Sequence, residues 1–366
     1  MLRSFRFVPI LLTLWASAVL GQANGRLQIH FMNVGQGDGA LLISPKGETI
    51  LFDNGVLNHC DQPLSYLQQL GVARIDYHVV SHYHADHFGC TAAVLGEFPL
   101  EKLAYDRGGT YGSATFQHYK SAVGSKRRTA TNTTVIQLDA GEPHPIRVKI
   151  VALNANGIST QNENDKSLVA VVECGEFSAV IGGDLSGYST PSYKDIETSV
   201  ASKVGRVDVY KVHHHGSDHS TNETWLQTIR PTVGVISAGV ANSYGHPTAG
   251  CLERLHTAGV RTYWTTIGKG APPDPAFDVV CGNVVVEAQP GDTSFTVTCS
   301  NGGVDTYSAV EGASGPVAGV AGYVWSVRSQ VYHVAGCSYA DNISAANRQS
   351  GLQPPDGKRL HEGCPR

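Results

Sequence analysis

The sequence predicts an α+β protein in which two β-sheets pack between layers of helix. Three observations carry this. Strand-like runs fall into two blocks, around residues 27–80 and 146–212, with helical segments interleaved. Gly is abundant at 41 of 366 residues, which favours strands joined by functional loops. With 41% hydrophobic and 16% charged residues, the chain has the composition of a folded globular protein, long enough for one large domain or two moderate ones.

The first element is not part of that fold. Arg3 and Arg6 precede an apolar run from Val8 to Leu20 and small residues at Ala16, Ala18, Gly21 and Ala23, the pattern of a secretory signal peptide over 1–23. The run is short for a bilayer span, so a secreted or periplasmic chain without stable membrane insertion is expected, starting near Asn24 to Leu27. Losing Arg3 and Arg6 takes the net charge from −4 to about −6. That excludes a broadly basic grip on nucleic acid, and the one dense basic patch, Lys126-Arg127-Arg128, reads as a solvated loop.

Leu27 to Asn33 alternates as a strand. The turn Gly35-Gln36-Gly37-Asp38-Gly39 and two further strands, Ala40 to Ile43 and Thr49 to Phe52, make an antiparallel succession. Pro63 to Leu70 has helical spacing and stops at Gly71, and the strand Tyr77 to Val80 runs into a histidine-rich segment. The second block holds strands at Ile146 to Leu153, Ser167 to Glu173, Phe177 to Ile181, Val207 to Val212, Thr232 to Ser237 and Arg261 to Thr265. A helix at Ala249 to Ala258 precedes the last of them. The folded domain is read as 27–300, a Gly-, Ala- and Ser-rich linker as 301–322, and a small unit as 323–366. Cys281 and Cys299 flank a predicted hairpin and are a natural disulfide, with Cys60 and Cys90 a second candidate pair.

The chemistry is concentrated in Ser81-His82-Tyr83-His84-Ala85-Asp86-His87. Three imidazoles and a carboxylate within six residues suit zinc, which takes nitrogen and oxygen ligands. A loop leaving a strand can turn successive side chains inward, so that His82 and His84 hold one ion while Asp86 and His87 hold a second.

With these residues the chain resembles the metallo-β-lactamase superfamily, an αββα sandwich with a two-metal site along one edge. Gly182-Gly183-Asp184 resembles the family's bridging aspartate, and Lys211-Val212-His213-His214-His215-Gly216-Ser217 its late histidine motif. In detail it is similar to the hydrolase domain of ComEC-type competence proteins: Asn33-Val34-Gly35-Gln36-Gly37-Asp38, Asn164-Asp165-Lys166-Ser167-Leu168 and Tyr244-Gly245-His246-Pro247. The resemblance implies that His82 and His84 bind the first ion, Asp86, His87 and His214 the second, and that Asp184 bridges them, with His215 behind His214. Zinc is the implied metal and manganese the other candidate.

One departure stands out. Where the β-lactamases place a further histidine, this chain has Asn164 or Ser167, poorer zinc ligands, so first-site occupancy is weaker and antibiotic hydrolysis is disfavoured. His144, between Pro143 and Pro145, reads as a structural loop. A water shared by two ions loses its proton near neutral pH and becomes the nucleophile, so no Ser or Cys nucleophile is required. Asp86 and His246 are then the candidate catalytic side chains, His246 as a proton or hydrogen-bond donor to substrate.

At the C-terminus, His333, Cys337, His361 and Cys364 form an H-x3-C and H-x2-C arrangement that fits a closed tetrahedral zinc site and resembles small zinc modules appended to exported hydrolases. A Cys337–Cys364 disulfide is the competing reading. The function expected from all this is a secreted metal-dependent hydrolase acting on phosphodiesters, nucleic acid among them. Alternatives are an esterase or lactonase, a hydrolase of phosphorylated cell-wall esters, and a non-catalytic binding protein stabilised by metal.

Overall fold

The computed structural model describes residues 23–240, 242–309, 323–326, 328–334, 347–351 and 357–361, so residues 1–22 of the expected signal peptide lie outside it. Strands β1 (Leu27–Phe31), β2 (Gly39–Ile43) and β3 (Thr49–Asn54) are antiparallel in succession. Helix α1 (Asp61–Gln69) crosses to β4 (Ile75–Val79), which runs parallel to β3. The short α2 (Ala85–Phe88) follows, then α3 (Thr91–Glu97), β5 (Leu100–Asp106), α4 (Ala114–Val123) and β6 (Arg127–Thr129). Helix α4 starts where the Ser113 hydroxyl accepts the Phe116 N–H, relieving one of the unpaired first-turn amides.

The second half opens with antiparallel β7 (Val135–Leu138), β8 (Ile146–Ala152), β9 (Val169–Cys174) and β10 (Phe177–Ile181). It continues as a parallel run: α5 (Glu197–Val204), β11 (Val209–Lys211), α6 (Glu223–Ile229), β12 (Val233–Ile236), α7 (Ala249–Thr257), β13 (Arg261–Trp264) and β14 (Asp278–Val280). The hairpin β15 (Val284–Ala288) and β16 (Ser294–Cys299), with β17 (Val304–Ser308), returns to the first sheet, where β15 pairs with β1.

Two sheets result, ordered β17-β16-β15-β1-β2-β3-β4-β5-β6 and β14-β13-β12-β11-β10-β9-β8-β7. Alternate residues decide the layers. Ile29, Phe31, Leu42 and Phe52 of the first sheet meet Val148, Val172, Ala179 and Val233 of the second between the sheets. The opposite face of the first sheet, with Leu41, Ile43 and Leu51, buries Leu67, Val94 and Phe116 of α1, α3 and α4. The opposite face of the second, with Val171, Val180 and Ile236, buries Val200, Trp225 and Leu255 of α5, α6 and α7. This is an αββα sandwich, as expected. Each fully buried side chain of this size is worth about 1.5–3 kcal/mol.

Three details differ from the sequence reading. Strand β17 lies inside the segment read as linker, so the sheet runs past Ser300 to Ser308; its pairing with β16, rather than a pattern of its own, makes it a strand. Arg127 is not a solvated loop residue: its guanidinium reaches Asp106 and the Tyr83 hydroxyl. The stretch from Thr91 to Leu138 supplies helices and strands that weak periodicity concealed.

Both proposed disulfides are present. Cys60–Cys90, with Cα atoms 5.3 Å apart, ties the start of α1 to the start of α3. Cys281–Cys299, 4.7 Å apart, fastens the crossover from the second sheet to the first. Closing loops of this length restricts the unfolded chain by about 3–4 kcal/mol each.

The C-terminal unit is a four-stranded sheet of β18 (Tyr323–Ser326), β19 (Val331–Val334), β20 (Arg348–Gly351) and β21 (Arg359–Leu360), in the order β20-β18-β19-β21. His333 on β19 and His361 just after β21 stack with ring centroids 4.9 Å apart. Cys337 and Cys364 lie outside the described residues. Among those residues, no helix is long and apolar enough to cross a membrane.

Candidate metal centre

The centre forms where β4 and β11, each in a parallel pairing, end. A sheet presents its loops together at such an edge. Past β4 the chain bends at Tyr83, is extended at His84 and then turns into α2, which brings Asp86 and His87 back over the same spot. The Gly-rich turn after β1 must lie close beneath: a Cβ on Gly37 would sit 2.2 Å from the Asp86 carbonyl oxygen. The approach of Asp184 also requires glycine. A Cβ on Gly182 would meet His213 Nε2 at 2.3 Å, and one on Gly183, at φ +56°, would meet Ser81 Oγ at 2.6 Å.

The ligand atoms are aimed by hydrogen bonds behind them. His87 Nδ1 donates to Asp53 Oδ2 at 2.9 Å, so that Nε2 faces Asp184 Oδ1 at 3.1 Å. Asp53 is held by the Ser81 N–H and hydroxyl, and Ser81 Oγ lies 3.0 Å from His82 Nδ1. The His82 Nε2 is thereby left facing Asp184 Oδ2 at 3.8 Å. The Asp184 N–H donates to Ser167 Oγ at 3.1 Å, so Ser167 stands behind the centre as a support.

The three consecutive histidines separate completely. His213 turns away, its Nδ1 2.7 Å from Glu197 Oε1 in a fully buried pair beside Trp225. His214 Nε2 is 3.6 Å from Asp184 Oδ2 and 3.3 Å from Asn164 Nδ2. His215 Nδ1 is held by the Ser237 carbonyl and Asp38, and its Nε2 lies 3.5 Å from Asp86 Oδ2 and 3.6 Å from Asp184 Oδ1. The residue that joins Asp86 and His87 is therefore His215, a correction to the expectation of His214 with His215 behind it. His214 lies instead toward Asn164. His246, joined to Pro247 by a cis bond, lines the same cavity, with its ring 5.3 Å from that of His214. His84 is half-buried at the cavity wall, its ring 4.8 Å from that of His82.

The donor set fits divalent ions. Buried atoms without a hydrogen-bond partner converge here: the Nε2 of His82, His87 and His215, and Asp184 Oδ1. His82, His87 and Asp184, and separately Asp86, His87 and His215, bring ligand atoms within 4.8 Å of one another. Charge points the same way. Burial alone opposes the charge on His215, but Asp184 and Asp38 outweigh it and lift its pKa to about 10. Burial likewise opposes the Asp184 carboxylate, yet His87, His214 and His215 hold it well below the usual range. His214, by contrast, is pushed down to about 4 by burial. Protons thus stand where carboxylates call for positive charge, and cations binding there would displace them.

Residues 35–240, more than half of the chain, match the model of the metallo-β-lactamase superfamily. The chain belongs to that superfamily. Its members are metal-binding hydrolases as a class, typically with zinc. Recombination protein 2 of Haemophilus influenzae is 28% identical over 234 residues, covering 63% of this chain and 26% of that protein. ComE operon protein 3 of Bacillus subtilis is 23% identical over 256 residues, covering 65% and 32%. Competence protein ComA of Neisseria gonorrhoeae is 28% identical over 231 residues, covering 62% and 29%. The chain thus spans about a quarter to a third of the length of these curated relatives. A soil-metagenome subclass B3 metallo-β-lactamase superposes with a TM-score of 0.36 and 15% identity over 54% of this chain and 82% of that one. That likeness is too loose to transfer any residue or activity.

In this superfamily member, sequence reasoning left several supports without a role. Asp38 and Lys211 are quoted in the motifs above, yet their mutual contact, with Nζ 2.7 Å from Oδ1 and both residues buried, is visible only in the fold. Asp53 is next to last in β3, at φ +54°, and an acidic residue near the end of an apolar strand was its one signal. Glu197 carried none.

Proposed function

We propose that this chain is an exported dinuclear metallo-hydrolase that cleaves phosphodiesters, polynucleotides among them. The observation that carries the reading is the convergence of unpartnered, buried imidazole and carboxylate atoms on the wall of an open cavity of about 1020 Å³. His82, His84, Asp184 and His214 would hold one ion, and Asp86, His87, His215 and Asp184 the other. Such ions would supply an activated water and positive charge for phosphoryl oxygens. Zinc suits the imidazoles; Asn164 in place of a further histidine leaves room for manganese.

The protein's own groups do the rest. Asp53, Ser81 and Asp38 fix the ring orientations of His87, His82 and His215 before substrate arrives. His246, whose pKa burial lowers to about 3, is neutral at working pH and offers a ring nitrogen to the substrate as a hydrogen-bonding group. The apolar Val240 and Tyr244, 67% and 70% exposed, form one lip of the cavity and suit a substrate carrying rings. Relatives named for recombination and competence support a polynucleotide, and two disulfides support an oxidising compartment. The test is metal content of the purified mature protein alongside cleavage of bis-p-nitrophenyl phosphate and single-stranded DNA. About two ions at the centre with diester cleavage supports the reading. Bound metal without either cleavage overturns it in favour of esters or lactones.

A further inference from the structure

The main cavity does not end at the metal centre. Through His84, Asn164 and Tyr193, which line both, it opens into a second hollow of about 400 Å³. Two cations border this hollow, in different states. Arg107 gives both arms of its guanidinium to Glu163, at 2.6 and 2.7 Å, and lies over the Tyr83 ring, so its charge is cancelled in place. Lys166 is tied more loosely: its ammonium donates to the Gln161 carbonyl at 3.5 Å and lies 3.9 Å from the same carboxylate. Aromatic rings complete the walls. Tyr111 lies across from His84 with centroids 6.5 Å apart, and Tyr193 is stacked on His219 at 4.3 Å. A small diester held at the metal centre would leave this hollow vacant. A flat ring with an attached phosphate would fill it, the ring against tyrosine and the phosphate on the ammonium.

We propose that the hollow is a second subsite, which holds the nucleotide adjoining the cleaved phosphodiester with its base on Tyr111 and its phosphate on Lys166. This makes single-stranded polynucleotide the substrate class of the centre, and it rests on the phosphodiesterase reading above. A duplex would keep its bases stacked inside and could not offer one to the tyrosine.

The experiment measures binding rather than turnover. A labelled, non-cleavable phosphorothioate oligothymidylate is titrated by fluorescence anisotropy against the metal-loaded mature protein, Lys166→Ala and Tyr111→Ala. Each substitution is expected to weaken binding about tenfold, the scale of one stacked base. Only Lys166→Ala should flatten the slope of log Kd against log salt, by about 0.7 for one phosphate contact on a single strand. Lys166→Arg and Tyr111→Phe should recover most of the affinity, which separates lost contacts from misfolding. Unchanged affinity in both alanine variants, with the wild type still cutting bis-p-nitrophenyl phosphate, overturns the subsite and leaves the phosphodiesterase reading standing. A wild type that cuts neither diester nor single-stranded DNA overturns both.

Discussion

The His82–His87 loop and the His213–His215 run are both dense in histidine and both follow a strand in parallel pairing, yet they fold to different ends. In the first, the residues are spaced over a short loop and one helical turn, so that His82, Asp86 and His87 fall within ligand groups and His84 stands at the cavity wall. In the second, His214 and His215 take left-handed backbone, φ +51° and +55°, and three neighbouring rings leave in three directions. One supports the fold against Glu197, one lies beside Asn164, and one closes on Asp86. Such backbone costs about 1 kcal/mol or more per non-glycine residue, so the surroundings must over-determine it. Regular spacing lets a motif declare its ligands; adjacent residues leave the choice to the backbone.

Substitutions can break or sharpen that contrast. The largest effect is expected where both clusters meet: Asp184→Ala should lower diester kcat/KM by roughly 10³-fold or more, beyond the 10–100-fold typical of residues that only orient ligands. Metal analysis should show ions lost in parallel. Next, His215→Ala should remove one ion and about 10²-fold of activity, with a smaller loss in His214→Ala. Equal losses would erase the distinction between these neighbours. Asp53→Asn should weaken metal binding about tenfold, read by competition with a chelator, because His87 loses its orienting carboxylate while every ligand remains. The smallest effect on the centre is expected from His213→Ala. It should keep the metal stoichiometry yet destabilise the fold by roughly 1–3 kcal/mol in denaturant titration, since the buried Glu197 loses its imidazole partner and keeps only the Thr221 and Asn222 N–H donors.

Much of this was legible in the chain. The alternation of Leu27 to Asn33 and the strand runs of Ser167 to Glu173 and Phe177 to Ile181 announce two sheets, whereas the close approach that requires Gly182-Gly183 shows only in the positions of His213 and Ser81. The hairpin between Cys281 and Cys299 brought that pair together in sequence space before the fold did. Strand β17 was not legible, because an edge strand of five residues depends on its neighbour for pairing and burial.

By itself the sequence determined the αββα class and the family, because these rest on residue type and local spacing. Tertiary structure decided which of three adjacent histidines faces Asp86, that Ser167 supports Asp184 from behind, and that Asp38 meets Lys211 far along the chain. Those outcomes depend on left-handed backbone at His214 and His215 and on contacts between the two halves of the sandwich. Long-range geometry of that kind leaves no periodic trace in the order of residues.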